Sequence, residues 1–194
     1  EKSFIFKIYK LFLETPELVV CHSIIEKQTL QSLIPKVEGR IRFIHFGIDR
    51  KYFRCRNKTI KYILSIGRDR SRDYKFLAQV AKKMKDQRFV IVTSKSNSQG
   101  INFPDNVKLY YDLPYNKVKD LYCESKTVFI PLKELERASG QISFLEALAS
   151  GNKVVVSKVK GILEYTDAFK NNIYFFSPDD IHGAVSSLKR SVEA

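Results

Sequence analysis

The chain is 194 residues long, with 44% hydrophobic and 28% charged residues, a globular rather than a disordered composition. That length suits one generous domain, or one domain with a remnant of another. Against 21 Asp and Glu stand 34 Lys and Arg, a formal net charge of +13, which points to anionic partners such as nucleic acid, anionic lipid or a phosphorylated ligand.

In chain order, Ser3 to Leu13 reads as an apolar helix. Preceded by Lys2 and interrupted by Lys7 and Lys10, the run falls short of the ~20 apolar residues of a membrane span. It carries no small-residue cleavage site, which argues against a secretory signal. Two readings stay open for it: the packing face of a domain remnant, or an interfacial membrane helix. The start at Glu1 instead of Met reads as a chain excised from a longer one. Leu18 to Cys21 is a buried strand, followed by a helix through Ile25, Leu30 and Leu33 and a strand at Ile41 to Phe46, with Pro16 and Pro35 as punctuation. Tyr62 to Ile66 is a strand running into Gly67, and Phe76, Leu77, Val80, Ala81 and Met84 mark one face of a helix. A strand at Phe89 to Val92, a loop from Ser94 to Asn106, a strand at Val107 to Tyr110 and a helix through Val118, Leu121 and Tyr122 follow. Then come a strand at Thr127 to Ile130, a helix near Ile142 to Ala149, strands at Lys153 to Val156 and Ile173 to Phe176, and a helix from Asp179 to Val192. The strands are continuous β-branched runs rather than alternating ones, so they are buried on both faces of a parallel sheet. The expected fold class is α/β, a Rossmann-like doubly wound parallel sheet over residues 47–194. Residues 1–46 are expected to be a remnant of a preceding domain.

Most basic residues are spread along the chain, with one denser patch at Arg68 to Arg72. No Arg-rich block, zinc-finger spacing or aromatic RNA-binding strand accompanies them, so most form a solvated surface and nucleic acid is not expected as a partner. Cys21, Cys55 and Cys123 are scattered with no C-x-x-C pair, which reads as three reduced thiols in a reducing compartment. His22, His45 and His182 have no Cys or acidic partner at ligand spacing, so no metal site is expected. No G-x-S-x-G elbow offers a serine nucleophile.

Ligands of an open parallel sheet bind beyond the carboxyl ends of its strands, beside helix N-termini. Two segments bring suitable residues there. In the first, Gly67 ends a strand at a sharp turn, Arg68 and Arg72 bracket a loop, and Asp73 caps the next helix. Two guanidinium groups in that loop can clamp a diphosphate bidentately; the alternative is an ordinary exposed basic loop. In the second, Ala138 to Gly151, small residues open a helix whose free N–H groups and dipole favour an anion. Glu146 lies mid-helix among Phe144, Leu145, Ala147 and Leu148. It is either a partly buried acceptor for two ribose hydroxyls or one exposed carboxylate on an amphipathic helix. Together the two segments favour a nucleotide diphosphate.

The stretch ASGQISFLEALASG from Ala138 to Gly151, with Lys153 to Val156 after it, resembles the donor-binding half of retaining GT-B glycosyltransferases of the large family four (group 1). So do RIRFIHFGIDRKYF from Arg40 to Phe53, with Gly47 and Asp49 ahead of Phe53, and the Gly-Arg loop in ILSIGRDRSRDYKFLAQV from Ile63 to Val80. DLYCESKTVFIPL from Asp120 to Leu132, Gly161 to Tyr165 and FFSPDD from Phe175 to Asp180 extend the resemblance, in the family's order, over residues 18–190.

The resemblance implies a site in which Gly67 sits against the donor diphosphate, Arg68 and Arg72 clamp it, and Ser139, Gly140 and Gln141 line the donor sugar and phosphates. Glu146 matches the second Glu of the family's Glu-x7-Glu motif, which grips the ribose. Where the first Glu belongs the chain has Ala138, a form found in a subset of the family. Glu134 and Glu136 just upstream are either substitutes for it or surface residues. The family also implies a nucleotide diphosphate sugar as substrate, no cofactor, no metal, and hexosyl transfer with retention. The acceptor belongs to an N-terminal domain of which residues 1–46 would be the last elements. Because transfer takes place in the cleft between the halves, the chain alone is expected to bind donor and transfer nothing, and no catalytic residue is assigned in it. Members often use lipid-linked acceptors at the cytoplasmic face of the membrane, which implies a cytoplasmic protein in peripheral contact with the inner face and suits the +13 charge. The alternatives are an inactive nucleotide-binding module of the same fold, to which Ala138 points, and a basic nucleic-acid-binding domain, to which charge alone points.

Overall fold

The computed structural model describes residues 2–56, 58–135, 137–166 and 170–193. It divides into two compact units, residues 1–46 with 135–138 and residues 47–134 with 139–194. In the first, helix α1 (Lys2–Glu14) precedes strand β1 (Val19–Cys21), helix α2 (Ile24–Leu33) and strand β2 (Ile41–Phe43), which pairs parallel with β1. Ser23 starts α2 by accepting from the N–H groups of Ile25 and Glu26, an N-cap that satisfies two otherwise orphaned donors. Cys21, Ile34, Val37 and Ile41 form this unit's buried core.

The second unit begins with α3 (Arg50–Phe53) and then alternates strand and helix: β3 (Tyr62–Ile66), α4 (Tyr74–Lys83), β4 (Phe89–Thr93), α5 (Lys95–Ser98), β5 (Val107–Tyr111) and α6 (Tyr115–Glu124). It continues with β6 (Ser125–Ile130), α7 (Gln141–Ala149), β7 (Lys153–Ser157), α8 (Lys160–Leu163), β8 (Ile173–Phe176) and α9 (Ile181–Glu193). Among the described residues six strands form one all-parallel sheet in the order β5-β4-β3-β6-β7-β8. Ile63, Ile91, Phe129 and Val155 enter a core shared with Leu77 and Val80 of α4 and Leu188 of α9. Their neighbours Leu64, Val128, Val154 and Val156 point to the other face and are equally inaccessible. Both faces are covered, which is the physical reason the strand sequences do not alternate. The winding starts at β3 and runs outward to β5, then returns to β6 and runs the other way to β8. The carboxyl ends of β3 and β6 therefore flank the switch point of a doubly wound sheet, where such folds open a crevice.

Among the described residues, three short α-helices are not expected from the sequence, α3, α5 inside the expected Ser94–Asn106 loop, and α8, nor are the 3-10 turns at Pro35–Arg40 and Lys170–Asn172. The cysteine expectation is corrected more seriously. Cys55 and Cys123 form a disulfide, with Cα atoms 5.4 Å apart, and Cys21 is the free, buried thiol. The segment after α3 lies against the last turn of α6, an encounter between residues 68 positions apart that no local spacing announces. Among the described residues no helix is long and apolar enough to cross a membrane.

Candidate functional site

The site is built where β3 and β6 end. Gly67 follows β3; its N–H donates to Val92 and its carbonyl accepts from Tyr74 Oη at 2.7 Å. A Cβ on Gly67 would lie 2.2 Å from Arg72 Nε, so a glycine is what lets the Arg72 side chain fold back across the turn. The turn is closed by the Asp69 carboxylate, which accepts from the Ser71 N–H at 2.8 Å. Residues 71–73 then lie antiparallel to the segment after β6: Lys133 N–H donates to Ser71 O, and Asp73 N–H to Pro131 O. Asp73 caps α4 through the Phe76 N–H, as its position in the sequence suggests.

Arg68 and Arg72, expected from their spacing to bracket the loop as a pair, are separated in the structure. Arg68 is exposed and ion-paired with Asp112 at 3.1 Å. Arg72 is only 5% exposed. Its Nη2 donates to Ser143 Oγ on the first turn of α7, while among the described residues Nε and Nη1 find no hydrogen-bond partner. Burial pulls its pKa down, opposed by the charges of Tyr74, Tyr122, Asp69 and Glu146. A buried guanidinium is costly unless its donors are paired, and two of the Arg72 donors are not.

The second wall is the start of α7. Gly140 is its N-cap with φ of +85°, a left-handed conformation, and a Cβ there would stand 3.0 Å from Leu132 Cδ1. Ser139 Oγ pairs with Ser71 Oγ, tying the two loops together. Gln141, buried, opens the helix, and the first-turn N–H groups of a helix have no intrahelical acceptor. The structure thus brings Gly67, Arg72, Ser139 and Gly140 together beyond the ends of β3 and β6, with Gln141 opening α7 beside them and Arg68 exposed to solvent.

Glu146 lies one turn beyond Ser143 on α7 and is buried, 4% exposed. Its Oε1 accepts from Tyr115 Oη at 2.6 Å and its Oε2 from Tyr122 Oη at 2.9 Å. Burial raises its pKa, while the two phenols and Arg72 act to lower it. Burial raises the pKa of both phenols too, and the neighbouring carboxylate adds to the effect. From its sequence position Tyr122 belongs to an apolar helix face, and no site role is expected for Tyr115, Ser71 or Ser143. The usable signal was the seven-residue spacing of the two tyrosines, which puts them on one face of α6. Of the acidic residues upstream, Glu134 is exposed and Glu136 lies outside the described residues; Ala138 is buried. Among the described residues no group of three or more His, Cys, Asp or Glu is arranged to hold a metal.

A family model described as glycosyl transferases group 1 matches residues 60–193. A glycosyltransferase from Rickettsia africae ESF-5 superposes with a TM-score of 0.73 at 16% identity, over 95% of this chain and 56% of its own. A sucrose-phosphate synthase from Thermosynechococcus elongatus gives 0.76 at 19% identity, over 98% and 53%. Anabaena HepE, solved in complex with UDP-glucose, gives 0.76 at 12% identity, over 97% and 57%. At such identities the likeness is one of fold, the Rossmann-like GT-B arrangement. The chain spans little more than half the length of these structures. No curated protein matches it in sequence.

Proposed function

This chain belongs to the group 1 glycosyl transferases, and from that premise we propose that residues 47–194 bind the nucleoside diphosphate of a nucleotide-sugar donor. The observation that carries the reading is Arg72, buried beside the α7 N-terminus with Nε and Nη1 idle. A diphosphate oxygen supplies what those donors lack, and the α7 dipole adds to the attraction. Ser139, Gly140 and Gln141 then line the phosphates and donor sugar, Gly67 backs the diphosphate, and Glu146 takes the ribose. Arg68 adds a second positive charge from the exposed side of the loop. That Anabaena HepE was solved with UDP-glucose makes a nucleotide sugar a natural donor for this fold.

In the whole enzyme, the sugar leaves the diphosphate as an oxocarbenium-like species and is attacked on the face it leaves from, so its configuration is retained. Arg72, Arg68 and the helix dipole neutralise the departing diphosphate without a metal, and this preorganised charge is the main catalytic contribution of residues 47–194. The acceptor is held by a preceding domain to which residues 1–46 belong, so the isolated chain binds donor without transferring sugar. A lipid-linked acceptor met at a membrane surface suits the net charge of +13.

Isothermal titration with UDP, GDP and ADP tests the reading. Saturable binding of one of them is expected, weakened by about 1.5–3 kcal/mol in Arg72→Met, the worth of a hydrogen bond to a charged group. Binding that ignores this substitution contradicts the clamp, and no binding of any of the three contradicts the donor site.

A further inference from the structure

If Glu146 receives ribose hydroxyls, each oxygen of its buried carboxylate meets them with one hydrogen bond already made. The two phenols that make those bonds differ greatly in freedom. Tyr122, which holds Oε2, has no exposed surface and meets Phe53 edge-on at 5.9 Å between ring centroids. Tyr115, which holds Oε1, sits on the first turn of α6 and is 54% exposed. Its ring lies parallel to that of Tyr52 at 5.6 Å, with Phe53 edge-on at the same distance. One oxygen is thus held by a buried wall and the other by a side chain with solvent to move into. A buried carboxylate oxygen without a donor is costly, so Tyr115 keeps the empty site satisfied.

Resting on the donor-site reading above, we infer that Tyr115 is a displaceable gate on Glu146: a ribose hydroxyl takes Oε1 over from the phenol when the nucleotide binds. Glu146 then offers the ribose a single oxygen, because Tyr122 does not release the other. The gate sets a threshold for ligands. A phosphate compound without a ribose has nothing to exchange for the Tyr115 hydrogen bond and gains only from Arg72 and α7.

The test is titration of the full chain and its Tyr115→Phe, Tyr122→Phe and Arg72→Met variants with UDP, GDP, ADP, their 2′,3′-dideoxy forms and inorganic pyrophosphate. Tyr115→Phe removes only the hydroxyl of a half-exposed ring, so packing is kept while the competitor is lost. It is expected to bind the ribonucleotide about tenfold tighter, the scale of one hydrogen bond to a charged group, and to melt at a lower temperature without nucleotide. Its affinity for pyrophosphate and for the dideoxy form is expected to stay within about twofold of the unchanged chain, since neither ligand competes for Oε1. Tyr122→Phe is expected to show no tightening. An unchanged or weaker affinity in Tyr115→Phe, with binding still lost in Arg72→Met, overturns the gate alone. So does an equal gain for pyrophosphate. Failure of the unchanged chain to bind any of these nucleotides overturns the donor site and the gate with it.

Discussion

Arg72 is buried, with Nε and Nη1 unpaired among the described residues. A buried guanidinium with unused donors costs free energy, because its desolvation is not repaid by hydrogen bonds. Arg72→Met is therefore expected to melt at or above the temperature of the unchanged chain while losing nucleotide affinity. A large fall in melting temperature would make Arg72 a structural residue. Arg68 is its opposite: the pair with Asp112 is 62% exposed on both sides, worth about 0–1 kcal/mol, so Arg68→Ala is expected to leave the melting temperature nearly unchanged. Glu146 gives a pH dependence whose sign is fixed. Its folded pKa is raised by burial, so the folded state holds the proton longer than the unfolded chain does, and its contribution to stability falls as pH rises through the folded pKa. Glu146→Gln is expected to gain stability over the unchanged chain near neutral pH, a gain that shrinks as the solution is acidified through the carboxylate range. A gain that grows on acidification would mean that Glu146 is held ionised more tightly than it is in the unfolded chain.

At the scale of elements, Gly67 beside Arg72 and Gly140 at the start of α7 act differently. Gly140 needs its left-handed φ, and a Cβ there also meets Leu132, so Gly140→Ala is expected to cost about 1–2 kcal/mol, readable in chemical denaturation. Gly67 has no such φ; its added Cβ strikes only the Arg72 side chain. Gly67→Ala is therefore expected to displace Arg72 and copy the binding loss of Arg72→Met, with a smaller effect on stability than Gly140→Ala. Both loops were legible in the sequence because glycine, a capping Asp73 and a strand end are local signals. What Arg72 does was not legible: the sequence puts Arg68 and Arg72 in one basic loop, and only the pairing of residues 71–73 with 131–133 turns one inward. Tyr115 was missed for a related reason, since an aromatic residue opening a helix reads as surface or packing until its carboxylate partner, 31 positions away, is in place.

Over the whole molecule, continuous β-branched runs announced a parallel sheet, and its strand order follows from alternating strands and helices wound both ways. The disulfide was hidden because it depends on that winding. By chain entropy a cross-link across 68 positions restricts the unfolded chain by about 4 kcal/mol. Reductant is expected to lower the melting temperature of the unchanged chain and to leave a Cys55→Ser variant unaffected; equal sensitivity of both would remove the bond from the account. The claim on which function turns is that a diphosphate binds beyond the carboxyl ends of β3 and β6. A crystal structure of the chain with the nucleoside diphosphate it binds tests this most directly. Phosphate oxygens are expected within hydrogen-bond distance of Arg72 Nε and Nη1 and of the first N–H groups of α7. A diphosphate seated elsewhere, with those two nitrogens still idle, would contradict it.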